Sequence, residues 1–267
     1  MSFVKRIQLP LSVVALCLSA FSGTANATIV QVETVRGNFE INLYDNATPA
    51  TVANFLDYVQ NGAYTDSIFH RAVPGFIVQG GGFRTDVNAQ VTGIPANPAV
   101  TNEPVYSNVR GTIAMAKLGN DPNSATNQWF INLADNASNL DAQNGGFTVF
   151  GEVTGSGMTV VDDIAGLQTF QFSAPFTELP LQNYTATDYS NGVVVDNTHL
   201  VIVTGITVID STVDSAAGLN PTPTTNTGSP GGTGGGNTGG GGGGGGSFGL
   251  LGLLGLLIAS RRRLVAR

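Results

Sequence analysis

Cysteine is nearly absent from this 267-residue chain, and the only one, Cys17, lies in an N-terminal apolar run. A disulfide framework and a cysteine-based zinc site are thereby excluded. Histidine is almost as scarce, with His70 and His199 far apart in sequence. A hydrolase triad, or a metal site built on several histidines, therefore has little material: HExxH does not occur, and the GxSxG match at 245–249 lies in the glycine run with no strand pattern before it. The glycine run at 239–246 follows no strand pattern and precedes no soluble helix, so it is not a dinucleotide loop. Positive charge is short as well. Six of the eleven Lys and Arg (Lys5, Arg6, Arg261, Arg262, Arg263 and Arg267) sit at the two ends, leaving five against all eighteen acids and a net charge of −13 between them. A surface this acidic repels phosphate backbones and anionic lipid, which argues against nucleic acid as a partner.

The two ends have the composition of address labels. Residues 1–27 combine a basic start, an apolar stretch from Leu9 to Phe21 and the small-x-small sequence Ala25-Asn26-Ala27, the pattern of a signal peptide, so the mature chain is expected to begin at Thr28. A lipoprotein signal using Cys17 is the alternative, but Leu16 is bulky where acylation needs a small residue. Export to the periplasm or cell surface follows from this reading. Residues 211–247 are rich in Pro and Thr and then almost pure Gly, which reads as a flexible linker. Residues 248–267 join twelve mostly apolar residues to an arginine cluster. Twelve residues reach only about 18 Å as a helix, against about 30 Å of hydrocarbon. The order of linker, short apolar segment and arginines resembles the GlyGly-CTERM sorting signals of Gram-negative bacteria, with a plain C-terminal membrane anchor as the other reading. Either implies attachment to a membrane or the cell surface through the tail.

Between the labels, residues 28–210 form one expected domain. Val30, Val32 and Thr34, then Phe39, Ile41 and Leu43, alternate with polar residues around Arg36-Gly37-Asn38, predicting a β-hairpin. Thr48-Pro49 offers an N-cap and a first-turn proline, and Val52, Phe55, Leu56 and Val59 fall at helical spacing before Asn61-Gly62. Short β-rich runs follow at 68–69, 76–79, 112–116, 129–133, 147–153 and 200–208, with a second helix at 159–165 whose Asp162-Asp163 pair is expected in its first turn. Many short strands and two helices predict an all-β-dominated fold, a closed or nearly closed antiparallel barrel with helical caps.

Two segments carry the remaining information: IFHRAVPGFIVQGG (68–81), and GTIAMAK (111–117) running on to NSATNQWFI (123–131). Here the chain resembles the cyclophilins, the cyclosporin-binding type of peptidyl-prolyl cis/trans isomerase, and FTVFGEVTGSGMTVVDDI (147–164) is similar to the strand and helix that close the family's barrel. The resemblance spans residues 28–210. It implies an eight-stranded closed barrel capped by two helices, no metal or other cofactor, and proline-containing unfolded or flexible polypeptides as partners.

The chemistry of such a site can be reasoned independently. Rotation about a peptide C–N bond is resisted by about 18–20 kcal/mol of resonance. A donor to the prolyl nitrogen stabilises the pyramidal, lone-pair-localised form that exists only in the twisted state, so no nucleophile is needed. Arg71 is the permanent cation in the motif that can act so. One charged hydrogen bond contributes roughly 1.5–3 kcal/mol, so apolar capture of the proline ring must add the rest. By resemblance the pocket is Phe76, Ile77, Phe130 and Leu140, with Gln79 as a hydrogen-bonding partner, Ala116 and Gln128 lining the cleft, and Asn127 at the groove rim. Two departures stand out: Asn139 occupies the place of the Trp associated with cyclosporin binding, and Phe147 that of a pocket His, after an insertion around 142–146. Catalysis is still implied; cyclosporin binding is not. His70 is expected on the opposite face from Arg71, and Trp129 opposite Phe130. Residues 170–197 exceed what a minimal member needs and have no functional account in sequence. Two other readings of the chain are a non-catalytic proline-peptide-binding module or chaperone and a surface-displayed adhesin; the adhesin leaves the two motifs unexplained, and Arg71 favours the enzyme.

Overall fold

The computed structural model describes residues 28–211 and 219–224. The expected signal segment 1–27, most of the 211–247 linker and the segment 248–267 lie outside the described residues. Among the described residues no helix is long and apolar enough to cross a membrane.

Strands β1 (Ile29–Thr34) and β2 (Gly37–Leu43) form the expected hairpin, with Val32 opposite Phe39 and Val30 opposite Ile41, all four turned into the core. Helix α1 (Pro49–Gln60) buries Val52, Phe55 and Val59 together with Tyr58. Its cap differs from the expectation. The Thr48 hydroxyl donates back to the Tyr44 carbonyl, and the first-turn N–H groups of Ala50 and Thr51 instead donate to the Glu103 carboxylate at 3.3 and 2.9 Å. A negative charge from a distant loop thus satisfies the positive end of the helix.

The remaining elements are β3 (Ser67–Ile68), β4 (Arg71–Val73), β5 (Ile77–Gly80), β6 (Phe83–Arg84), β7 (Thr92–Gly93), β8 (Thr112–Met115), β9 (Trp129–Asn132), α2 (Ala137–Leu140), β10 (Val149–Val153), α3 (Gly157–Ala165), β11 (Thr169–Phe170), β12 (Leu179–Pro180), α4 (Ala186–Ser190) and β13 (Ile202–Asp210). Eleven strands form one antiparallel sheet in the order β4-β5-β9-β8-β10-β2-β1-β13-β3-β6-β7, with β11 and β12 a separate pair. This departs from the eight-stranded closed barrel implied by resemblance, and the helices number four rather than two among the described residues. The difference has a local cause. β3 and β4 are halves of one extended segment broken at Phe69-His70; the Phe69 N–H still bonds Val201 beside β13, and the His70 N–H bonds Gln79 on β5. One stretch of chain therefore serves both ends of the run, and the sheet curls upon itself.

The interior of the curl holds Val30, Ile41, Phe69, Ile113, Met115, Trp129, Ile131, Phe150 and Val203, with α1 adding Phe55 and α3 adding Val161 and Ile164. Helix α3 begins at Gly157, earlier than expected, and only glycine fits at that first position, since a Cβ there would lie 2.7 Å from Val153 and 2.9 Å from Phe39. Asp162 and Asp163 consequently fall in its second half, where they pair with Arg110 and Arg36 and do not serve the helix dipole. A second apolar cluster, outside the curl, unites Ile68 and Ile202 with Phe170, Leu179, Leu181, Tyr184, Val195 and Leu200. This is where the long 170–197 segment packs. Leu219–Thr224, expected as linker, lie along a loop: the Ser107 N–H donates to Thr222 O at 2.8 Å and the Thr224 N–H to Val105 O at 3.0 Å.

Candidate active site

Pairing across four adjacent strand boundaries aligns the motif residues in one row. Arg71 on β4 stands opposite Gln79 on β5, Gln79 opposite Phe130 on β9, Phe130 opposite Ala114 on β8, and Ala114 opposite Val149 on β10. Directly opposed residues share a face, so a cation, an amide and an aromatic ring stand on consecutive strands, each roughly 4.8 Å from the next. Ile77, two residues before Gln79, shares the face by alternation.

That face is the outer one. Ile77, Ala114, Ala116, Phe130, Leu140, Phe147, Val149 and Tyr44 form an apolar cluster distinct from the interior, with Phe76, Val73, Tyr106 and Leu219 packed against it. Trp129 and Ile131, the neighbours of Phe130, go to the interior, as strict alternation requires. Phe130 meets Phe147 edge-on, with ring centroids 5.8 Å apart. These walls are almost fully buried, whereas Arg71, Phe76 and Gln128 are half-buried and border the open side. Gln79 donates from Nε2 to Gln128 Oε1 at 2.8 Å, while its buried Oε1 has no partner.

Asn127 departs from the expected rim position. It is buried; its side chain donates to Ile94 O at 2.8 Å and its carbonyl accepts from the Tyr64 hydroxyl, so it is a strut behind the cleft. Gly81 lies against this backbone, where a Cβ would stand 2.5 Å from the Asn127 carbonyl. His70 is buried edge-on to Phe83, and burial, aided by the neighbouring Arg71 charge, pushes its imidazole down to about 4.

Several groups that hold the site were not singled out in sequence. Asn136 donates to Phe76 O at 2.9 Å and to Asn132 Oδ1 at 2.8 Å; Asn108 donates to Phe147 O and to the Asp141 carboxylate beside Leu140. Buried amides thus fix the backbone of two of the residues expected to form the pocket, Phe76 and Phe147. Lys117, inside the second motif, is buried with its ammonium against two carbonyls, Asn144 at 2.9 Å and Gly146 at 2.6 Å, and burial pushes its pKa down to about 8. Finally, Glu178 from the long segment reaches Arg71, Oε2 to Nε at 2.6 Å. A charged residue within an apolar motif was a visible signal for Lys117. Nothing marked Glu178.

A curled antiparallel sheet whose outer face joins one arginine to an apolar pocket defines a binding site for a small apolar ring beside a hydrogen-bond donor. Residues 29–186 match the model of the cyclophilin type peptidyl-prolyl cis-trans isomerase family. The peptidyl-prolyl cis-trans isomerase of Acinetobacter baylyi is 45% identical over 163 residues, covering 58% of this chain and 83% of that protein. Peptidyl-prolyl cis-trans isomerase A of Dickeya dadantii is 44% identical over 63% of this chain and 88% of its own length, and isomerase B of Escherichia coli 42% over 53% and 86%. A crystal structure of a Cryptosporidium parvum cyclophilin type isomerase overlays with a TM-score of 0.49 at 21% identity, covering 70% of this chain and 99% of that one. The chain belongs to the cyclophilin-type family and is a peptidyl-prolyl cis-trans isomerase.

Proposed function

We propose that this isomerase turns X–Pro bonds of exported, unfolded or flexible polypeptides, with Arg71 donating to the prolyl nitrogen while Phe76, Ile77, Phe130, Leu140 and Phe147 hold the ring. The row that sets Arg71, Gln79 and Phe130 on three consecutive strands carries this reading. Gln79 Oε1, a buried acceptor without a partner, suits a substrate N–H. Gln128 and Ala116 line the approach. Catalysis requires no bond to break: clamping the ring in a dry pocket leaves the preceding carbonyl free to turn, and the Arg71 bond strengthens as resonance is lost.

The leader-like residues 1–27 support export, and residues 248–267 support attachment at a membrane or cell surface. With Asn139 and Phe147 in place of the usual Trp and His, weak cyclosporin inhibition is part of the proposal. A protease-coupled assay on a short Ala-Pro peptide tests the mechanism. Arg71→Ala and Phe130→Ala should each lose at least about tenfold in kcat/KM, which corresponds to about 1.4 kcal/mol of transition-state stabilisation. Wild-type rates in both would defeat it.

A further inference from the structure

The long 170–197 segment ends its excursion beside the proposed catalytic arginine. Its strand β12 is preceded by Glu178, whose carbonyl accepts from the Ala72 N–H at 2.9 Å, one residue from Arg71. The next residue, Leu179, is fully buried in the outer cluster with Ile68 and Ile202, so the backbone at 178 is held on both sides. Phe176 meets Phe83 in a tilted ring pair with centroids 5.0 Å apart, and Phe83 in turn meets His70, the other neighbour of Arg71. From this fixed base the Glu178 carboxylate takes the Nε–H of Arg71 at 2.6 Å.

We propose that Glu178 is a positioning residue for Arg71, an inference that rests on the role assigned to Arg71 above. A guanidinium has five N–H donors in a rigid plane. Anchoring the single inner donor fixes the plane and leaves both terminal nitrogens for the substrate, so rotamer freedom is surrendered before the twisted imide arrives. Arg71 and Glu178 keep 25% and 38% of their side-chain surface exposed, so solvent screens the attraction and the effect is one of orientation more than of net charge. The insertion thereby acquires a function: it carries a carboxylate that the two motifs do not contain.

The test is a double-mutant cycle on the Ala-Pro peptide with kcat and KM measured separately, alongside thermal melting. Glu178→Ala should lower kcat about threefold to tenfold, with KM within about twofold and little change in Tm. Glu178→Gln, whose amide oxygen still accepts from Nε, should fall between it and the wild type. In an Arg71→Ala background, Glu178→Ala should change nothing further. A wild-type kcat for Glu178→Ala, or an equal loss in both backgrounds, would overturn the proposal. A loss confined to KM and Tm would do the same by making Glu178 a structural residue. If Arg71→Ala itself keeps wild-type activity, the assigned mechanism fails; if it is impaired while Glu178→Ala is not, only this inference fails.

Discussion

The ammonium of Lys117 lies 4.7 Å from the centroid of the Phe147 ring while two of its protons go to the carbonyls of Asn144 and Gly146. One side chain therefore fastens the 143–146 turn and supports Phe147, a wall of the proposed proline pocket. Cation–π contact of this desolvated kind adds about 1–2 kcal/mol.

Replacing Lys117 by Met keeps the stem and removes the three donors, taking the ammonium from the Asn144 carbonyl and leaving the buried Gly146 carbonyl with the Asn102 amide alone. Stability in urea should fall by about 1–3 kcal/mol. Because the proposed mechanism gives Phe147 a place in the pocket wall and no chemistry, KM for a proline peptide should rise several-fold with kcat nearly unchanged. An equal fall in kcat with an unchanged KM would place Lys117 in the chemical step instead.

His70 makes stability depend on pH. Its Nδ1 has no hydrogen-bond partner, and burial lowers its pKa from 6.5 to about 4. Between these values the unfolded chain binds the proton and the folded one does not, so stability rises with pH and is lost as pH falls through the window. The wild type should lose about 3 kcal/mol between pH 7 and pH 4 relative to His70→Phe. Carboxylates titrate at the acid end of this window, Asp163 held low by its bond to Arg36 and Asp45 raised by burial, but they do so in both proteins and cancel in the comparison. Denaturant midpoints measured across the window for both proteins check it; parallel curves would reject the assignment.

Gly81 tolerates no side chain. Its φ is +79°, and a Cβ would stand 2.5 Å from the Asn127 carbonyl and 2.7 Å from the Trp129 indole. Gly81→Ala should cost about 3 kcal/mol or more, since neither backbone nor buried indole can yield cheaply. Gly75 is also at positive φ, but a Cβ there would meet nothing within 4 Å, so Gly75→Ala should lose only about 1 kcal/mol. Thermal melts of the pair would show whether space or conformation dominates.

Much of the molecule was legible because hydrogen-bond patterns are local. Alternation in 30–34 and 39–43 and the helical spacing of Val52, Phe55 and Val59 each follow from the period of one element, and they placed β1, β2 and α1. Arg71, Phe76, Ile77 and Gln79 occupy one hairpin, so their shared environment was written in a single motif. The cap on α1 was misplaced, since its acceptor, Glu103, comes from another loop.

By itself the sequence determined which residues alternate to which face, that Arg71 and the pocket aromatics accompany each other, and to which family the chain belongs. Tertiary structure alone decided that Glu178 grips Arg71 across 107 residues, that Lys117 buttresses Phe147, that Asn127 lies behind the cleft, and that Thr222 and Thr224 lie along Val105 and Ser107. The physical reason is that periodicity records only the hydrogen bonds of one's own element. An ion pair or a buried amide bond requires complementary groups at one point in space, and no spacing along the chain announces where a long connection will bring them.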